Sequence, residues 1–186
     1  MKLTTKRLIL REVRKTDAES IRKYIDNLNI SKWLLAVPYP YTKKDALWWV
    51  NECEKKQETK TRTSYELGLT IKPNDEVVGG IGLSHIEEFS GTAEIGYWIA
   101  EPFWRKGYML EATKKLIDFG FNKLKLRRIE LPAFSKNQGS NRLAKKLGFK
   151  FEGTLRKNEK AKSTGKIHDK NVWGLLKSDW PKPKKD

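Results

Sequence analysis

The sequence predicts a mixed α/β fold, one sheet with helices packed on its faces. Two observations carry that prediction. Seven segments have strand character, some of them set off by turn residues such as Pro73-Asn-Asp75 and Gly91. Between the last of them lie helix-like stretches, one with apolar residues at 109, 112, 116, 117, 121 and 124 and with Lys114, Lys115, Asp118 and Lys123 outside that stripe. A helix with a single apolar face packs one side onto a sheet.

In chain order, Arg7-Leu-Ile-Leu-Arg11 reads as a first strand. Thr16 and Glu19 have capping-box spacing, which starts a helix through Tyr24 and Ile25. Pro38-Tyr-Pro-Tyr-Thr42 is an extended aromatic connection, and Thr42 with Asp45 opens a second helix carrying Leu47, Trp48, Val50 and Cys53. Strands are expected over about 63–72 and 76–86, joined at Pro73-Asn-Asp75. Gly91 leads into a fourth, about 92–100, with Ala93, Ile95, Tyr97 and Ile99 on one face and Glu94, Gly96 and Trp98 on the other. The striped helix comes after it, then a fifth strand at Arg128-Ile-Glu-Leu131. The next helix buries Leu143, Ala144 and Leu147 and stops at Gly148 in a left-handed cap, with Phe149 folding back. Two long strands, about 150–160 and 166–177, close the chain.

At 186 residues the chain is read as one domain over 1–180 with a short basic tail at 181–186. Seven Trp, seven Phe and six Tyr argue for a packed core. No apolar run approaches the ~20 residues of a membrane span, nor is there an apolar stretch that fits a signal peptide. One cysteine and two histidines leave no internal disulfide, no cysteine-rich zinc site and no expected metal. A cytoplasmic location is the expectation. Net charge is +16 and uneven: residues 1–100 hold 16 Lys/Arg and 14 Asp/Glu, residues 101–186 hold 23 and 9. A basic half attracts nucleic acid, phosphate-bearing cofactors or acidic surfaces, although scattered lysines also make an ordinary solvated surface.

The sharpest signal lies between residues 94 and 149. A strand runs into the basic turn Trp104-Arg-Lys-Gly107, and a helix opens directly after it. That arrangement aims several backbone N–H groups and the positive end of a helix dipole at one place, which suits a phosphate. One strand later a second helix opens on Asn137-Gln-Gly-Ser140.

Taken in order, these motifs make the chain resemble the GNAT acetyltransferase superfamily, and within it the RimJ/RimL type of ribosomal-protein N-terminal acetyltransferases. The resemblance spans nearly the whole chain. It rests on Arg7-Leu-x-Leu-Arg11, Pro38-x-Pro-Tyr-Thr with Asp45-Ala46 and Trp49, Glu94-Ile-Gly-Tyr-Trp98, and Trp104-x-Lys-Gly107-Tyr108 with Glu111-Ala112. It continues through Asn137-x-x-Ser140, Lys146-Leu-Gly-Phe149, Glu152-Gly153 and Asp179-Trp180. The resemblance implies a mostly antiparallel sheet of six to seven strands, splayed between the fourth and fifth, with acetyl-CoA in the splay and no metal. It implies that Arg105, Lys106, Gly107, Tyr108 and Met109 hold the pyrophosphate through backbone N–H groups. The family more often has Gly at the position of Arg105, and Gln or Arg at that of Trp104. It further implies a free N–H near Trp98 or Ile99 to polarise the thioester carbonyl, Asn137 on the pantetheine arm, and Ser140 near the sulfur.

Each of these residues also has a plainer role open to it. Asn137 makes a good helix cap, Ser140 a small first-turn residue, Trp104 and Tyr108 packing groups, and Glu111 a charge complement to its helix dipole. Cys53 reads as core filler, and His85 and His168 as isolated. Acetyl transfer to an amine needs a proton acceptor, stabilisation of the carbonyl oxygen and a proton for the leaving thiolate. The lone cysteine has no paired histidine, so direct attack in a ternary complex is expected rather than a covalent intermediate. Glu94 and Glu159 are the candidate bases, and Glu159 has the spacing after Glu152 that the resemblance implies for that role. The acceptor is expected to be a protein N-terminus. A second reading keeps the chemistry and makes the acceptor a small amine such as an aminoglycoside, polyamine or amino acid. A third reading is a basic protein that binds RNA or the ribosome without catalysis. Ribosome association, and whether the chain is a monomer or a homodimer, stay open at this point.

Overall fold

The computed structural model describes residues 1–181. Eight strands form one sheet in the order β1-β2-β3-β4-β5-β6-β8-β7. The strands are β1 (Lys2–Thr4), β2 (Leu8–Glu12), β3 (Tyr65–Ile71), β4 (Val77–Glu87), β5 (Thr92–Ile99), β6 (Arg128–Phe134), β7 (Lys150–Lys160) and β8 (Ile167–Leu176). The helices are α1 (Ala18–Ile25), α2 (Leu28–Ser31), α3 (Lys43–Glu58), α4 (Tyr108–Asn122) and α5 (Gln138–Lys146). All neighbouring strands pair antiparallel except β5 and β6. Among the described residues no helix is long and apolar enough to cross a membrane. The tail expected from 181 lies, from 182 onward, outside the described residues.

The sheet has one strand more than the seven read from sequence. The added β1 is three residues long, too short to display an alternating pattern. It is set by a tight turn in which Thr5 N–H donates to Leu8 O (3.0 Å) and Thr5 Oγ1 accepts from Leu8 N–H (2.9 Å). The Thr16–Glu19 box is a correction. The chain enters α1 through a 3-10 turn at Lys15–Asp17, and α1 begins at Ala18. Asp17 takes the Arg14 N–H (2.7 Å) and both ends of the buried Arg11 guanidinium (2.8 Å each), while Glu19 pairs on the surface with Arg22. A buried bidentate ion pair prevails over an exposed capping box. The Thr42–Asp45 box forms as expected at the start of α3. Cys53 is buried on that helix, and burial pushes its thiol up to about 12, as befits a core residue.

Two clusters of buried side chains bracket the sheet. One joins α4 to β2, β3, β4, β5 and β6 and includes Leu116, Ile117, Phe121, Ile95 and Ile129. The other lies under α1 and α3 and includes Ile21, Val50, Cys53 and Val77, with Trp98 packed against it. Ile95 and Tyr97 thus face the first cluster and Trp98 the second, the alternation a strand imposes. Gly120 brings α4 close to the sheet, since a Cβ there would sit 3.0 Å from Ile129. At the end of α5, Gly148 adopts φ +85°, its N–H donates to Lys145 O and Phe149 N–H donates to Ala144 O. That is a Schellman ending.

The sheet opens at one place. β5 and β6 pair in parallel only over Thr92–Glu94 against Arg128–Glu130. Beyond Glu94, β5 follows β4 to Ile99, while β6 follows β8 to Phe134. The two strands part and leave a gap between them.

Candidate active site

One wall of the gap is the bare edge of β5. The phase of the β4–β5 ladder is set by Ala100 N–H donating to Val78 O (2.9 Å), and the register is regular from Ile99 back to Glu94. In such a ladder alternate residues turn both main-chain groups to the same side. Ile95, Tyr97 and Ile99 therefore turn theirs away from β4, into the splay. Trp98 is paired with Gly80 on the β4 side, and its indole lies over that glycine, where a Cβ would come within 2.5 Å of Nε1. Of the two residues expected to offer a free N–H, Ile99 has it and Trp98 does not. Ile99 O accepts from the Trp104 indole N–H (2.8 Å), which fixes the start of the turn.

The second component is that turn, residues 104–107, leading into α4. Arg105 and Gly107 both have positive φ, +60° and +78°. The backbone at 105 is thus one that glycine adopts freely and arginine tolerates at a cost. Gly107 caps α4 with no side-chain partner, and no acceptor among the described residues takes the N–H groups of residues 105–110. Six main-chain donors at the head of a four-turn helix form an anion cradle, which fits a pyrophosphate. The side chains matter less. Met109 is buried in the core, and Lys106 Nζ lies over the Phe103 ring.

Arg7 braces this turn from the far side of the sequence. Its Nε donates to Glu111 Oε2 (2.7 Å), its Nη1 to Lys106 O (3.0 Å), and its guanidinium lies 4.5 Å above the Tyr108 ring. Glu111 also accepts from Thr5 Oγ1 (2.6 Å) and Arg7 N–H (2.9 Å). Partial burial pushes the Glu111 carboxyl up, but hydrogen bonds from Thr5 and Arg7 outweigh it and hold it below the ordinary carboxylate range. Glu111 is therefore a tie between the β1–β2 turn and α4, beyond any dipole complement.

The third component is the start of α5. Asn137 caps it, its side-chain oxygen accepting from Ser140 N–H (3.1 Å). The Asn137 amide nitrogen donates to nothing among the described residues. Asn141 pins the same end to the sheet, donating to Asn137 O (2.7 Å) and Phe134 O (3.1 Å) and accepting from Asn171 and the Trp173 indole (2.8 Å each). Ser140 is buried, and its hydroxyl lies 2.7 Å from that of Tyr97. Burial pushes the Tyr97 phenol up to about 12, so it stays protonated at neutral pH.

The β5 edge and the start of α5 meet in a cleft of about 240 Å³ lined by residues 33–35, 94–97 and 132–134 together with Asn137, Ser140 and Glu159. All three residues expected to act on the reacting groups, Glu159, Ser140 and Glu94, line it. Glu159 is hydrogen-bonded by Lys170 Nζ (2.7 Å) and lies across the β7–β8 ladder from His168, which stacks on Phe134 at 4.3 Å. Glu94 stands 3.5 Å from the exposed His85 and makes no other ion pair among the described residues. A larger hollow of about 510 Å³ beside Arg11, Asp17 and Asp75 is less apt, because its guanidinium is already taken by those two carboxylates and two carbonyls. Among the described residues no group of three or more His, Cys, Asp or Glu is arranged to hold a metal ion.

Sequence reading missed Tyr97, which it placed only on the strand face of Ala93, Ile95 and Ile99, and Lys170. It also missed the wall at Trp33, Leu34 and Leu35. Tyr97 was within reach, since the strand pattern points it toward the helix face on which α5 begins. The wall carried no signal, because nothing local marks a loop that borders a site.

Known proteins resemble this chain in sequence and in fold. The family described as Acetyltransferase (GNAT) domain matches residues 7–150. The "Uncharacterized N-acetyltransferase p20" of Bacillus licheniformis is 33% identical over 180 residues, covering 96% of this chain and 97% of that protein. The "Ribosomal-protein-serine acetyltransferase" of Escherichia coli (strain K12) is 36% identical over 95 residues, covering 51% of this chain and 53% of that protein. A crystal structure described as a probable acetyltransferase superposes with a TM-score of 0.83 at 26% identity, covering 97% of this chain and 99% of the other. The chain belongs to the GNAT acetyltransferase family and is an N-acetyltransferase of the kind whose donor is acetyl-CoA.

Proposed function

We propose that this enzyme transfers the acetyl group of acetyl-CoA to the N-terminal α-amino group of a protein, by direct attack in a ternary complex. The observation that carries the reading is the single cleft at the β5–β6 splay. There a bare strand edge, a hydroxyl pair and two carboxylates meet within one small volume.

The donor half is built to bind and orient. The N–H groups of residues 105–110 take the pyrophosphate, and the edge at 95–99 pairs with the amides of the pantetheine arm as a further strand would. The free Asn137 amide nitrogen is placed to join them. N–H groups of Tyr97 and Ile99 supply the donor that the thioester oxygen needs as it gains charge. Ser140, backed by the neutral Tyr97 hydroxyl, donates a proton to the departing thiolate.

The acceptor half moves the other proton. Glu159 takes it from the acceptor's ammonium, leaving the neutral amine that attacks the thioester carbonyl, and Lys170 holds the Glu159 carboxylate in position. Glu94, on the opposite wall, attracts and orients the incoming amine. The name of the Escherichia coli relative suggests a ribosomal protein as acceptor and a cytoplasmic setting. A second reading, a small cationic amine, draws on the same two carboxylates. Short peptides with free N-termini, incubated with acetyl-CoA and followed by CoA release, should turn over faster than polyamines, aminoglycosides and free amino acids. The reverse order would replace the protein acceptor with the small amine.

A further inference from the structure

The cleft leaves little room for a whole acceptor. Its volume of about 240 Å³ also has to admit the reacting end of the donor beside Asn137 and Ser140. Pockets that enclose a drug-sized ligand span about 300–1,000 Å³. Only the first residue of an acceptor chain enters such a space, and its second and later residues must lie on the rim.

The rim nearest the cleft is strongly basic. Residues 156–166 form the end of the β7–β8 hairpin and hold five Lys/Arg against a single acid, Glu159, which points into the cleft. Lys162 N–H donates to Leu35 O (3.0 Å), tying the hairpin tip to the cleft wall. The tip is well defined: Ala161 is fully buried, its N–H donates to Lys166 O (2.9 Å), and Gly165 N–H donates back to Ala161 O (2.8 Å). Arg156, Lys157, Lys160, Lys162 and Lys166 are exposed, and none stands in an ion pair among the described residues. The Asp45 carboxyl at the head of α3 is held below its ordinary range mainly by the Thr42 hydroxyl and N–H, with Lys162 and Lys44 adding at longer range. Asp45 is thus one acid within reach of the hairpin at Lys162, and Lys43 and Lys44 flank it at the start of α3.

From this ordering of charge, a negative floor at Glu94 and Glu159 and then a positive rim, we infer that the preferred acceptor is a polypeptide N-terminus followed within a few residues by Asp and Glu. An ammonium meets the carboxylates while the acidic residues behind it meet the lysines. A nucleic acid fits worse, because it brings no ammonium and its phosphates face the same two carboxylates. The inference rests on the protein-acceptor reading above and names the class of acceptor.

The test is a set of peptides sharing their first two residues and differing at positions three to six: acidic, neutral or basic. At low salt the acidic peptide should exceed the basic one by about 10-fold or more in kcat/KM, since steering by a charged rim changes encounter rates by that order. The gap should narrow toward 1 M salt, where the Debye length is about 3 Å. A triple variant, Lys160→Glu, Lys162→Glu and Lys166→Glu, should invert the preference while turning over the neutral peptide within about 2-fold of the parent, which also reports an intact fold. Equal kcat/KM for all three peptides, or an unchanged preference in the variant, overturns the inference and leaves the protein-acceptor reading standing. Single-stranded RNA inhibiting at lower concentration than the acidic peptide's KM, with no such inhibition in the variant, also overturns it, by assigning the rim to RNA. If no peptide is acetylated while a small amine is, the protein-acceptor reading itself falls.

Discussion

The two halves of the cleft are built from different material. The donor half is main chain: the β5 edge, the 104–107 turn and the heads of α4 and α5. The acceptor half is side chain: Glu94, Glu159 with Lys170, and the wall at 33–35. A backbone site is specified by a turn and two helix starts, and it tolerates substitutions such as Arg105 for glycine so long as the φ values are kept. A side-chain site depends on residues brought from four separate segments, and single replacements should be felt sharply. Substitutions in the acceptor half should therefore act on kcat or on the acceptor KM, and those in the donor half on acetyl-CoA affinity.

The largest effect is expected at Glu159. Glu159→Gln keeps size and hydrogen bonding but removes the proton acceptor, and should lower kcat by about 10²-fold or more. Activity should recover partly as pH rises and free amine becomes abundant. Glu94→Gln should instead mainly raise the acceptor KM. A pH-rescued kcat loss at Glu94 with near-normal kcat at Glu159 would exchange their roles. It would still confine the chemistry to the acceptor half.

Next comes the hydroxyl pair, which sits at the boundary of the two halves. Ser140→Ala should lower kcat by about 10²-fold with little change in acetyl-CoA affinity. Tyr97→Phe should act through the same proton, so the double variant should lose much less than the product of the two single losses. Independent effects would show that the two hydroxyls serve different steps. Unchanged kcat in Ser140→Ala, with chemistry rate-limiting, would return Ser140 to a helix-start role.

On the donor side the effects are smaller and should appear in binding. Gly107→Val puts a β-branched residue at φ +78°, a conformation that costs on the order of 1–3 kcal/mol. Calorimetry on the folded variant should show acetyl-CoA affinity falling about 10-fold or more, while unchanged affinity would place the cofactor elsewhere. Arg7→Ala removes the brace on Lys106 O and Glu111 but leaves the N–H groups, so a loss of only about 3- to 10-fold in affinity is expected, consistent with a part-exposed ion pair. A kcat loss without an affinity change in either variant would break the division between the halves. In the parent enzyme, acetyl-CoA at about 100 times its Kd should stabilise the fold by about 2.7 kcal/mol and raise the melting temperature accordingly. No shift would remove the donor site altogether.

The amino-acid sequence determined the order of the major elements, the glycine-bearing turn and the helix starts at Gly107 and Asn137. These depend on local physics: apolar spacing, the φ that glycine permits and the capping chemistry of Asn. It also pointed to Glu94 by its place on the fourth strand and to Ser140 and Glu159 through the family resemblance, and the tertiary structure gathers them in one cleft. Only the tertiary structure decided three other things. It showed where β5 and β6 part, because that depends on which neighbour each strand follows. It selected Ile99 over Trp98 for the free N–H, because ladder phase is set by the partner strand. It brought Tyr97 and residues 33–35 to the cleft and Lys170 to Glu159, and put Arg7 under a turn about 100 residues away. Such pairings are fixed by long-range packing and charge, and a linear pattern carries no record of distance across a sheet.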